Sequence, residues 1–225
     1  MPLALDDRLG SRTRWLLVLS VGLSMLGSGC ATTAATGSPA RSPGDVTLWA
    51  PPPSWKLGEE WTYRWESPRG QGTFVWTVDR EEIIDSAAYY VLRSGPTRES
   101  YFRKADLAFY MDKVNGLIET RYTPPISWIP WPLKPGVTRE LRYAHERPIE
   151  RQTDEVVRVC ESVAEETVTV PAGTFETVKV VCRDGERGPT VYEVWYSLAA
   201  KQWVRERNHF AYGVRERELI AYKLR

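Results

Sequence analysis

His145 and His209 are the two groups in this 225-residue chain best suited to move protons or bind zinc near neutral pH. A zinc site needs several His, Cys or carboxylate ligands converging on one point. No HExxH and no paired CxxC occurs, so both histidines read as structural or surface groups. A nucleophilic serine would need a histidine and an acid beside it. No GxSxG is present, and Ser94-Gly95 and Ser197 read as turn or strand-end residues. Arg69-Gly-Gln-Gly72 is too short to cradle phosphate, and no Lys-Ser or Lys-Thr follows it. Glycoside cleavage uses two carboxyls facing each other across a cleft. The pairs Glu59-Glu60, Glu81-Glu82 and Glu165-Glu166 are adjacent in the chain. Neighbours on a strand point to opposite faces, so these pairs read as solubilising turn charges. No catalytic residue, metal or cofactor is expected from these motifs, and the chain reads as non-enzymatic.

The three cysteines carry more information. Cys30 follows an apolar run from Trp15 to Leu26 and the small residues Gly27, Ser28 and Gly29. Arg8, Arg12 and Arg14 form a basic start, diluted by Asp6 and Asp7. The run is shorter than the roughly 20 residues needed to span a bilayer. Residues 1–29 therefore read as a bacterial lipoprotein signal, with Cys30 as the lipid-bearing first residue of the exported chain. Gly27 stands where the leucine of such a signal usually lies, and the leucine is one place early at Leu26. The alternative is an ordinary secretory signal cut further on, for example after Ala34. Ala31 follows Cys30 in place of the aspartate that would resemble an inner-membrane retention signal, so the expected site is the outer membrane, facing the periplasm or cell surface. Beyond the signal, basic and acidic residues number 27 each. That balance offers no global pull toward nucleic acid or an anionic surface. Membrane attachment is expected through the lipid on Cys30.

Cys160 and Cys182 remain. Pro171-Ala172-Gly173 reads as a hairpin turn, and counting outward from Ala172 brings residue 160 near residue 182. Cross-strand neighbours lie within disulfide range. The alternative is two free thiols packed as small apolar groups, which an oxidising compartment disfavours. The Glu161–Glu166 stretch, ESVAEE, is where a register shift would spoil the pairing.

The elements that carry these groups read as strands. Ala31–Gly44 is small, polar and free of aromatics, so residues 30–45 are expected to be a flexible tether with a reach of roughly 20 Å. Residues 46–225 hold all but one of the 26 aromatics and are expected to form a single domain. Trp61, Tyr63 and Trp65 alternate with polar residues, and Phe74, Trp76 and Val78 do so again after a Pro/Gly turn. That pattern is a hairpin. Asn115-Gly116 suits a type I′ turn, which would place Phe109 opposite Tyr122 and Tyr110 opposite Arg121. Two separate strands are expected at Glu155–Cys160 and Thr167–Val170. No stretch sustains a helical stripe. The expected class is all-β, mainly antiparallel, as a strongly curved sheet or partly closed β-barrel or half-barrel. Arg215-Glu-Arg-Glu218 puts charge on both faces of a late strand, which suits a blunted sheet edge.

Glu166-Thr-Val-Thr-Val-Pro-Ala-Gly-Thr-Phe-Glu-Thr-Val-Lys-Val180 resembles a recurrent hairpin of TapB-like exported bacterial proteins, close to a large β-rich family of unknown function. Pro132-Leu-Lys-Pro-Gly136, Glu193-Val-Trp-Tyr-Ser197, Trp203-Val-Arg-Glu206 and Glu218-Leu-Ile-Ala-Tyr222 resemble its central turn and closing strands. The resemblance implies fold and location, with no catalytic residues to carry over.

Binding candidates are aromatic. Trp128 and Trp131 lie in the proline-stiffened run Thr123–Leu133 and either form an exposed apolar patch or plug a barrel end. Trp61, Tyr63, Trp65, Phe74 and Trp76 are either core or the lining of an apolar site. The expected function is a cell-envelope lipoprotein whose β-domain binds an apolar molecule or an envelope protein. A structural scaffold of the envelope and a hydrolase of envelope material are the alternatives.

Overall fold

The computed structural model describes residues 50–225. The expected signal at 1–29, the lipidation at Cys30 and the tether at 30–45 lie outside them.

The chain alternates in direction through twelve strands: β1 (Glu60–Ser67), β2 (Gly70–Ile84), β3 (Ala87–Ser94), β4 (Arg98–Arg103), β5 (Phe109–Val114) and β6 (Leu117–Ile126), then β7 (Thr138–Arg147), β8 (Gln152–Val170), β9 (Gly173–Asp184), β10 (Thr190–Ser197), β11 (Gln202–Phe210) and β12 (Gly213–Lys223). Each strand pairs antiparallel with its sequence neighbours, and β12 pairs with β1 to close the barrel. Among the described residues the only helical turn is Pro148–Glu150.

Closure is complete, beyond the half-barrel extreme of the sequence expectation. It corrects the reading of Arg215–Glu218 as an edge. β12 is bonded on both sides, to β11 and to β1. Its charges on two faces have another cause. Arg215 and Arg217 line the interior, whereas Glu216 and Glu218 pair outside with Arg205, Arg207 and Arg64. A closed sheet has no edge to blunt.

The outer face of β10–β12 and β1 is a lattice of such pairs. Trp195 lies beneath Lys179 and Arg207 and donates its Nε1–H to Glu166 at 2.6 Å. Charged side chains at a bilayer midplane cost about 2–4 kcal/mol each for Arg or Lys. This wall is built for water, unlike the apolar band of a lipid-facing barrel. Among the described residues no helix is long and apolar enough to cross a membrane.

Two local expectations need correction. The Asn115-Gly116 turn forms, with φ of 51° and 77°. Its register shifts, however, between Asp112 and Lys113 and again between Phe109 and Met111. Met111 therefore faces Arg121, and Phe109 faces Ile126. The two segments around ESVAEE are one strand, β8, with an irregularity between Ser162 and Ala164. That extra residue shifts the register by one beyond it, and the shift makes the pairing rather than spoiling it: Cys160 faces Cys182 instead of Arg183, and the disulfide forms with Cα atoms 4.0 Å apart. Its 22-residue separation corresponds to about 3 kcal/mol in the chain-entropy account. Pro124 and Pro125 lie within β6, but the ladder to β7 stops at Thr123. Proline lacks the N–H a continued ladder would need.

One end of the barrel is plugged. The β6–β7 connection, residues 127–137, folds across it and bridges Ala50 through Leu133. Trp55, Trp131 and Leu133 are buried there. Trp55 donates its indole N–H to the Lys201 carbonyl in the β10–β11 turn at 3.0 Å. Glu59 is fully buried at the same end and accepts from Lys201 Nζ at 2.6 Å and from the backbone N–H groups of Lys56 and Arg225. Glu59 is thus an internal clamp rather than the solubilising charge its sequence context implied.

Candidate functional site: a half-open aromatic cavity

An eight-stranded barrel is just filled by its own side chains, and diameter grows with strand number. Twelve strands leave space that side chains fill only in part. The remaining cavity is about 920 Å³, within the roughly 300–1,000 Å³ range of small-molecule sites.

Its inner wall is aromatic because inward positions alternate along each strand. Trp76 and Trp203 meet edge to face at 5.9 Å, and Trp76 meets Phe102 at 5.8 Å. Phe102 and Phe109 are 5.2 Å apart, and Phe109 reaches Tyr122 at 5.4 Å. Phe109 and Tyr122 therefore touch although they are not direct cross-strand partners. Such rings present large apolar area with fixed geometry.

The expected binding aromatics divide by position. Trp65, Phe74, Trp76, Trp128 and Trp131 line the cavity. Trp61 and Tyr63 do not, which corrects their assignment as ligand contacts. Both have no exposed surface. Trp61 donates to the Ala200 carbonyl at 2.7 Å, and the Tyr63 hydroxyl donates to the Trp203 carbonyl at 3.0 Å. These bonds lock the two rings into the packed wall. Burial holds the Tyr63 phenol well above its ordinary value, and Glu206 adds to the shift.

The Trp128–Trp131 loop is the plug, not an exposed patch. Trp131 is 7% exposed and stands edge-on to Tyr196 at 5.3 Å. Trp128 packs against Tyr122, Tyr143 and Tyr192. The loop therefore forms the floor of the cavity, with Trp131 turned inward.

The opposite end carries polar groups on the cavity wall. On β4–β6, Arg98 bonds Asp112 at 2.9 Å and Glu119 at 2.7 Å, and the Ser100 hydroxyl donates to Asp112 at 2.5 Å. Burial raises the Asp112 carboxyl above its ordinary value despite the Ser100 and Arg98 bonds. On β11–β12, Glu206 is 3% exposed. It accepts from Arg217 at 3.1 Å and from Asn208. Sequence reading missed these polar groups, because their shared inward direction depends on barrel closure.

The histidines are separated. His145 stacks on Tyr122 at 4.8 Å and bonds Thr120 and Arg147. Burial first, then Arg147, lowers its affinity for a proton. His209 bonds Glu193 at 2.9 Å, and Glu193 also pairs with Lys179. Among the described residues, neither histidine hydrogen-bonds a serine.

No protein-family model matches the chain, and no curated protein does. The resemblance to TapB-like proteins therefore rests on the motifs alone. Among solved structures, a protein of Parabacteroides distasonis provisionally called a lipoprotein aligns at 15% identity with a TM-score of 0.40. The alignment covers 80% of this chain and all of the other. A protein of Bacteroides fragilis, provisionally called exported and said to have a YmcC-like fold, aligns at 14% identity and TM-score 0.41 over 76% of this chain and 97% of its own. The hypothetical lipoprotein YmcC of Escherichia coli aligns at 9% identity and TM-score 0.38, covering 73% and 84%. Likenesses this distant carry no functional argument.

Proposed function

We propose that this chain is a non-enzymatic cell-envelope lipoprotein whose barrel holds an apolar molecule. The aromatic cavity carries the reading: its floor is sealed by Trp131, and its wall is formed by rings from neighbouring strands. The water-suited outer wall agrees with a barrel held at a membrane rather than in one. Attachment at the periplasmic side of the outer membrane would come from the acylated Cys30. An envelope partner docked on the Trp128–Trp131 loop is not favoured, since that loop is the floor.

Gentle extraction of the full chain from native membranes, followed by native mass spectrometry, is expected to find an apolar molecule at near-unit stoichiometry. Val156 lines the cavity. A Val156→Trp variant should lose the molecule while remaining folded, with an overpacking cost of about 1–3 kcal/mol. Folded wild type that carries nothing and takes up no added long-chain alcohol would rule the reading out. For the anchor, radiolabelled fatty acid should enter the wild-type chain and be absent from Cys30→Ser. Equal labelling of the two, or none in either, contradicts acylation at Cys30.

A further inference from the structure

We infer that the ligand is an anionic amphiphile, with its apolar body on the aromatic wall and its anionic group at the open end near Arg215 and Arg69. This rests on the cavity reading and adds a ligand class to it.

The first ground is charge. Five arginines line the cavity against three carboxylates, Asp112, Glu119 and Glu206. The chain beyond the expected signal is balanced, so this excess is local. Three of the five arginines are already paired. Arg98 is held by Asp112 and Glu119, Arg217 by Glu206, and Arg158 by Asp184. Arg69 and Arg215 form no ion pair with any described residue. The Nε donors of Arg215 and Arg217 are buried and meet no acceptor among the described residues. A buried donor without an acceptor is costly, and an arginine fork suits a carboxylate or phosphate.

The second ground is placement. Arg69 lies 3.7 Å over the Tyr212 ring, and Arg215 lies 5.1 Å from the centre of Phe210. Phe210 and Tyr212 are themselves stacked at 4.9 Å with planes 6° apart. One pair of rings thus holds both guanidiniums. The β1–β2 and β11–β12 hairpins make this possible by touching at their tips. Gly213 has φ of 124°, and a Cβ there would meet Pro68 at 2.7 Å. Only glycine allows that approach.

The third ground is the neighbourhood of Arg215. Burial, then the charge of Arg217, lowers the proton affinity of Arg215, while Glu206, Tyr212 and Tyr192 oppose the shift. Glu206 is the nearby carboxylate on this wall, and it is engaged by Arg217 and Asn208. An incoming anion would relieve the uncompensated charge that Arg215 retains. The aromatic floor gives the apolar body a place away from water.

The test uses calorimetric titration of the full chain held in amphipol, with amphipol alone as blank. The probes are decanoate, decyl phosphate and decanol, which share one chain and differ in head group. Both anions are expected to bind at least about tenfold tighter than decanol, the scale of one charge-assisted bond. The tighter anion identifies the head group as carboxylate or phosphate. Arg215→Gln should remove most of that preference and leave decanol affinity within about twofold. Arg69→Gln, on an exposed turn, should reduce it in a variant that folds regardless. Decanol binding as tightly as both anions would overturn this inference and leave the apolar-cavity reading standing. Failure of all three to bind would overturn both. An anion preference that survives unchanged in both arginine variants would also overturn it.

Discussion

Lys201→Met is expected to destabilise the barrel by about 3–5 kcal/mol. Glu59 has no exposed surface, and Lys201 Nζ bonds it at 2.6 Å. The ammonium also donates to the Ser54 carbonyl at 3.2 Å. Three separate pieces of chain converge there: the segment before β1, the β10–β11 turn and the C-terminal end. Methionine keeps most of the aliphatic stem and removes the charge, so the loss would come from a buried carboxylate without its cation. The N–H groups of Lys56 and Arg225 would still face Glu59, but dipoles replace a cation only in part. Urea unfolding of the full chain would read the effect as a lower midpoint at unchanged slope. Adding Glu59→Gln to Lys201→Met should recover a substantial part of the loss, since the buried group is then neutral. A single variant within about 0.5 kcal/mol of wild type would show that the clamp is not energetically important.

Trp61→Ala is expected to cost about 3–5 kcal/mol, the range for a large aromatic removed from a packed interior. The Trp61 ring centre is 5.5 Å from Trp55, and its N–H satisfies the buried Ala200 carbonyl. Alanine would leave a void and an unpaired acceptor together. Trp76→Ala should behave differently. Trp76 borders a space that already exists, so its removal should weaken ligand binding more than folding. Parallel urea unfolding and decanol titration of the two variants would separate wall packing from binding. If Trp76→Ala unfolds as readily as Trp61→Ala and binds decanol normally, the division drawn between these rings is wrong.

Local chemistry was the legible part of this fold. Turn residues marked the Asn115-Gly116 and Pro171-Ala172-Gly173 hairpins, and counting from the second brought Cys160 near Cys182, with the irregularity after Ser162 supplying the last residue of register. Alternation marked the inward faces of β1 and β2. What alternation does not encode is the partner of the first and last strands. Trp61 meets Tyr222 across the closing seam, and no local pattern connects positions so far apart. Without closure, Arg215–Glu218 has two equivalent faces, so the inward turn of the arginines stayed hidden. The same limit hid Glu59. Its neighbours Glu60 and Gly58 read as a polar turn, and only the arrival of Lys201 makes its burial tolerable. The bulge between Asp112 and Lys113 was also unreadable, because it follows from fitting one short strand between two others.

The seam between β1 and β12 also bears on biogenesis. A chain emerging from the ribosome or the export channel can form each hairpin in turn, since every other pairing joins strands adjacent in sequence. The last pairing must wait until β12 has been delivered, and it joins the two most distant strands in the domain. Pairings of that range are intrinsically slow. A sheet that still lacked this pairing would have two bare edges, a form prone to aggregation. β12 also brings Arg215 and Arg217 to the mouth. Ligand capture and protection from aggregation would thus begin with the same final step, so an anionic amphiphile present during folding should act as a template for closure.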